Sequence, residues 1–173
     1  MFRLLLAALL ILYGSVGFSF KLCQEMRLRI RHVEQMKEIF RLFQSEISYS
    51  KAALPEICLS VSKRVAEPYK SAMEEVYEET QKSSGMQFPF IWQEKMGQCI
   101  KDLPVKRQEQ EIFLGFGNQT GFIDWEMQVG MIEKNKNQLE ELYIQLKEAM
   151  LNKEKVITGI GVLGGLMLVI VLI

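Results

Sequence analysis

Two apolar runs without a charged side chain, residues 4–20 and 156–173, occupy the ends of this chain, and all of its Asp, Glu and Lys and every Arg except Arg3 lie between them. Such runs constrain a fold strongly, because hydrocarbon offers the backbone no hydrogen-bond partner and only a helix satisfies its own amides there. At ~1.5 Å per residue, runs of about 17 and 18 residues reach across most of a ~30 Å hydrocarbon layer. Neither contains proline. The sequence therefore predicts an N-terminal transmembrane helix over residues 1–20, a soluble helical domain over 21–155 and a C-terminal transmembrane helix over 156–173. Lys21, Arg27, Arg29 and Arg31 follow the first run and Lys147, Lys153 and Lys155 precede the second. The positive-inside bias assigns that basic side, and the domain with it, to the cytoplasm.

A basic residue followed by a short apolar run is also how a secretory signal peptide begins, so a cleaved leader and an exported, membrane-anchored domain form the alternative reading. Phe18, Phe20, Leu22 and the basic cluster after them suit a stop-transfer segment better than a small-residue cleavage site. Lys21 and Leu22 stand before Cys23 where lipoprotein processing needs a small residue. Lys153 and Lys155 abut the second run with no small-residue site and polar spacer before it, which argues against a removable anchor signal.

About 135 residues between the runs are enough for one domain with its own core. Twenty-one basic residues balance 21 acidic ones, which leaves no electrostatic case for nucleic acid as a partner. Cys23, Cys58 and Cys99 are odd in number, widely spaced and free of any Cys-x-x-Cys pair, and read as reduced, buried small side chains. The single histidine, His32, lies in a basic amphipathic stretch and reads as a solvated helix residue. No metal or cofactor set and no catalytic constellation can be assembled from this inventory, so the expectation is a protein that is not an enzyme. Gly159, Gly161 and Gly164 spell G-x-G-x-x-G, but without the preceding strand and downstream acid that nucleotide binding needs. Gly161 and Gly165 instead form G-x-x-x-G, which lets another membrane helix approach closely.

Within the domain, Ile30, Val33, Met36, Phe40, Phe43 and Ile47 recur at steps of three or four and predict a helix continuing from the first membrane run. Small residues before Pro55 end it, and Pro55 suits the first turn of a short helix over 56–65. A helix over 69–82 carries Glu74, Glu75, Glu78 and Glu79 on one face, a solvated surface or a docking patch for a partner. Further helices are expected over 90–100 and 105–114, the latter giving way at Gly115, Gly117 and Gly121. A last long helix runs from about 125 to 155 with Ile132, Leu139, Leu142 and Leu146 on its stripe and Asn135 interrupting it. No stretch alternates with period two, so the fold class is all-α: an antiparallel helical bundle with its first and last helices side by side.

Two motifs then stand out. Glu46-Ile47-Ser48-Tyr49-Ser50-Lys51-Ala52-Ala53-Leu54 is similar to the pattern E-I-x-Y-G-x-T-P-L, matching at Glu46, Ile47, Tyr49 and Leu54 and departing at Ser50, Ala52 and Ala53. Phe116, Gly117, Gly121 and Asp124, with Gln128 four residues on, match F-G-x-x-L-G-x-x-D-x-x-x-Q, with Thr120 in place of leucine. In this order and spacing, between two apolar ends, they resemble the stage III sporulation protein AB family of endospore-forming bacteria from end to end. That resemblance implies a cytoplasmic domain like that of the type II secretion and type IV pilus inner-membrane platform protein. It implies a sporulation channel or secretion-like complex in the mother-cell membrane around the forespore, with the domain in the mother-cell cytoplasm. The implied partners are the lipid bilayer, a hexameric secretion-type ATPase of the same operon (stage III sporulation protein AA) and the other stage III sporulation A-operon membrane proteins. Gly117 and Gly121 are expected to serve a left-handed turn or a close helix contact, and Asp124 to cap the final helix.

Overall fold

The computed structural model describes the backbone of residues 2–82, 87–118 and 125–172, and side chains at 21, 23–82, 87–118, 126–153 and 156. Among the described residues it contains six helices and no strand: α1 (Phe2–Ser50), α2 (Leu54–Ser62), α3 (Tyr69–Lys82), α4 (Phe88–Ile100), α5 (Arg107–Asn118) and α6 (Trp125–Leu172). The chain divides into two compact units, one made of residues 1–30 and 144–173 and the other of residues 31–143. The first holds the outer parts of α1 and α6, both helical in backbone. Among the side chains described, no helix is long and apolar enough to cross a membrane, and the two terminal runs expected to do so lie outside them.

In the second unit, α1 and α6 run side by side in opposite directions. Lys136 donates to Gln44 at 2.9 Å, Lys37 pairs with Glu140 at 2.7 Å and Tyr143 donates to Glu34 at 3.4 Å, numbers that rise along one helix as they fall along the other. Lys37 also lies 4.3 Å over the Tyr143 ring. Helices α2 to α5 pack each on the next. The apolar stripe expected on α1 is buried at Val33, Met36, Phe40, Phe43 and Ile47, widened by Ile39 and Leu42. It meets an aromatic cluster centred on Trp92 of α4, whose ring lies 5.2 Å from Phe116, 5.5 Å from Phe113 and 5.8 Å from Phe43. Edge-on contacts of this kind each add about 0.5–1.5 kcal/mol to what burial contributes. The indole N–H donates to the Phe113 carbonyl and Gln93 to the Leu114 carbonyl, so α4 holds α5 by its backbone.

Several boundaries differ from those expected. Pro55 does sit in the first turn of α2, but the helix ends at Ser62, three residues early, with Arg64 N–H closing on the Val61 carbonyl. Pro89 likewise falls inside the first turn of α4, where its missing N–H has no helical partner to lose. Helix α5 does not stop at Leu114 and runs through Gly115 and Gly117 to Asn118. At its start, Glu109 reaches back to accept the Lys106 N–H at 2.7 Å, the third-residue half of a capping box. His32 is not a freely solvated residue: it is half-buried, with Nδ1 3.4 Å from the Tyr69 hydroxyl. Of the cysteines, all free, only Cys58 is buried as expected, and Cys23 and Cys99 are partly exposed.

Candidate functional site

Helix α1 ends through its own side chains. Ser50 Oγ accepts from Ala52 N–H and donates to the Glu46 carbonyl, and Lys51 turns to φ 48°, its N–H reaching the Ile47 carbonyl. A left-handed residue after the last helical turn is the usual helix stop, normally filled by glycine because a Cβ is strained there. The residues from Lys51 to Pro55 then lead into α2. Glu46 secures this corner, accepting from Ser60 at 3.0 Å and pairing with Arg64 at 3.5 Å.

This corner forms one wall of an open, mostly apolar depression of about 470 Å³, lined by Ile47, Lys51, Ala52, Ala53, Leu54, Pro55, Phe88 and Gln128. Leu54 and Ile47 belong to the first sequence motif and Gln128 to the second, so residues some seventy positions apart in sequence line one surface. Large apolar side chains next to the lining in sequence are turned to solvent: Tyr49 is 91% exposed, Phe90 66% and Met127 59%. Exposed apolar side chains scattered singly mean little, and it is the open, mostly apolar depression lined by both motifs that marks a candidate interaction surface. Nothing in this lining resembles a catalytic set; what it can do chemically is bury an apolar anchor from another molecule.

The remaining motif residues divide. Phe116 is in the aromatic core and contributes nothing to the surface. Gly117 serves a close helix contact, since a Cβ there would lie 2.6 Å from Trp92 Cδ1, and its φ is not left-handed. Gly121 and Asp124 lie outside the described residues. Gly161 and Gly165 lie on the helical backbone of α6, where side-chain surroundings are likewise not described.

The acidic face of α3 is less uniform than its spacing suggests. Glu74 is half-buried and accepts from the buried Ser62 hydroxyl at 3.5 Å, Glu78 pairs with Lys82 at 3.4 Å, and Glu79 is also half-buried and engaged. Glu75 is exposed with no hydrogen-bond or ion-pair partner among the described residues. Burial first, and then the charges of Glu67 and Glu75, push the Cys99 thiol up to about 11. Sequence reasoning missed Phe88 and Pro55 as lining. The only signal for Phe88 was an aromatic beside a helix-starting proline.

Comparisons with known proteins agree with this architecture. A family model for stage III sporulation protein AB matches residues 4–173. Stage III sporulation protein AB of Bacillus subtilis (strain 168) is 24% identical over 168 residues, covering 97% of this chain and 98% of its own length. A solved structure of stage III sporulation protein AB superposes with a TM-score of 0.64 at 21% identity, covering 72% of this chain and 97% of that one.

Proposed function

The chain belongs to the stage III sporulation protein AB family, and from that premise we propose that it is a non-enzymatic platform in a sporulation channel or secretion-like assembly. Its two apolar ends anchor it in the mother-cell membrane around the forespore. Its helical domain, on the mother-cell side, couples the operon's hexameric secretion-type ATPase, stage III sporulation protein AA, to the other membrane proteins of the assembly. The observation that carries this reading is the convergence of both motifs on one open apolar depression, with Tyr49 of the first motif 91% exposed. A docking surface needs a few large, desolvatable side chains on a rigid support, and the Glu46–Ser60–Arg64 tie supplies that support.

The ATPase contact is assigned to this depression and not to the acidic face of α3, since three of the four carboxylates there already have partners. Binding of the purified ATPase to the full chain in detergent tests the assignment. Tyr49→Ala combined with Leu54→Ala is expected to weaken it by about tenfold or more, in line with truncating an aromatic anchor. Charge reversal of Glu74, Glu75, Glu78 and Glu79 to lysine is expected to leave it within a few-fold. The opposite pattern would move the motor to α3, and no binding by the unaltered chain would end the platform reading.

A further inference from the structure

A net charge of zero hides a segregation of charge along this chain. The unit made of residues 1–30 and 144–173 holds seven basic residues against three acidic ones, whereas residues 31–143 hold 14 against 18. Six of the seven, Lys21, Arg27, Arg29, Lys147, Lys153 and Lys155, lie on the inner side of the apolar runs, none more than nine residues from the nearer run. On continuous helix that is at most about 14 Å. Lys21, the first residue after one run, and Lys153, three residues before the other, are exposed, and neither has a hydrogen-bond or ion-pair partner among the described residues. Glu25, one turn along α1 from Lys21, does not pair with it. Leu151 and Val156, on either side of Lys153 in sequence, are 54% and 58% exposed. Apolar carbon beside an unpaired ammonium, at the end of a run of hydrocarbon length, fits the boundary layer of a bilayer. There the apolar part enters among acyl chains while the lysine stem carries its charge out to the phosphates.

Two occupants could balance such a collar, an acidic protein or an anionic membrane surface. Continuity with the apolar runs favours the membrane, since these side chains stand where headgroups lie once the runs are inserted. A group of four to eight basic residues next to a membrane helix is the arrangement that attracts anionic lipid, each adding to the attraction within about a screening length of the surface. We infer that the basic collar binds the phosphate headgroups of anionic phospholipids, so that the chain gathers such lipids around its apolar ends in preference to zwitterionic ones. The inference rests on the reading of both ends as membrane helices and adds a choice of lipid, which hydrophobic insertion by itself does not make.

The full chain is reconstituted into phosphatidylcholine vesicles carrying a trace of spin-labelled phosphatidylglycerol or of spin-labelled phosphatidylcholine, and the lipid held at the protein is read by electron spin resonance. Phosphatidylglycerol is expected to be held over phosphatidylcholine by about threefold or more. That preference is expected to collapse towards one between 0.1 and 1 M salt, where the screening length falls from about 10 to about 3 Å. Lys21→Gln combined with Lys153→Gln is expected to remove about half of it or more, with helix content by circular dichroism unchanged. Lys63→Gln combined with Lys101→Gln, two exposed lysines of the other unit, is expected to leave it as it was. Equal holding of the two lipids overturns the inference alone and leaves the collar to an acidic protein. A preference that survives 1 M salt overturns it whatever the variants do, and so does a loss as large in the second pair as in the first. No lipid held at all would remove the membrane reading together with it.

Discussion

Gly115 and Gly117 sit two residues apart on α5 and respond to a methyl group in opposite ways. At Gly115 the added Cβ meets empty space, and replacing a helical glycine by alanine there is expected to stabilise by about 0.5–1 kcal/mol. At Gly117 the Cβ lies 2.6 Å from Trp92 Cδ1 and 3.1 Å from Trp92 Cβ, so the clash reaches the root of the indole and a change of rotamer does not relieve it. Overpacking costs about 1–3 kcal/mol, only part of which the ~1 kcal/mol gain in helix propensity offsets. Gly117→Ala should therefore lower the urea midpoint of the full chain while Gly115→Ala raises it. Equal shifts for both would mean that the α4–α5 approach is looser than described. The glycine itself was visible in the second motif, but its purpose was not, because a close contact and a left-handed turn use the same residue type.

Between elements, His32 of α1 and Tyr69 of α3 form a contact whose strength depends on pH. Desolvation, reinforced by the Arg31 charge and opposed by the nearby Gln35 side chain, holds the His32 imidazole below its ordinary value of 6.5. The unfolded chain thus binds a proton at a pH where the folded chain does not. The resulting contribution to stability is present above pH ~6.5 and is lost as the pH falls from there through the folded-state value. Subtracting the unfolding free energy of a His32→Gln variant from that of the unaltered chain is expected to leave a difference that rises with pH over this window. A flat difference would show that the imidazole titrates as it does in water. In the neutral tautomer with its proton on Nε2, Nδ1 accepts from Tyr69, and a protonated ring could no longer do so. Amphipathic spacing along α1 carried the helix but not this contact, because periodicity on one helix says nothing of which side chain on another it will meet.

For the whole molecule, placement of the cysteines makes the membrane arrangement testable. Cys23 and Cys99 are partly exposed and Cys58 is buried, its thiol pushed well above the usual range by desolvation. With the domain on the cytoplasmic side, a membrane-impermeant maleimide added to intact vegetative cells producing the chain is expected to label none of the three. After permeabilisation Cys23 should react first, Cys99 slowly because burial holds its thiol up to about 11, and Cys58 only after denaturation, since the thiolate is the reacting species and burial suppresses it. Labelling of Cys99 in intact cells would place the domain outside and return the chain to the exported reading.

Composition and periodicity by themselves determined that the chain is all-α, that α1 carries a broad apolar stripe ending before Pro55, and that α6 continues without a break from Trp125. These are properties of single segments, set by residue spacing and by where charges are absent. Tertiary structure alone decided that Trp92 is the centre of the core, that Leu54 and Gln128 line one surface, and that three carboxylates of α3 are already engaged. It also decided that α5 continues past its glycines, because Gly117 packs against an indole from a helix that local sequence cannot anticipate. Asn135 illustrates the division: its interruption of the α6 stripe was legible in sequence, but whether its amide would find a partner depended on what α5 brought alongside, and α5 brought none.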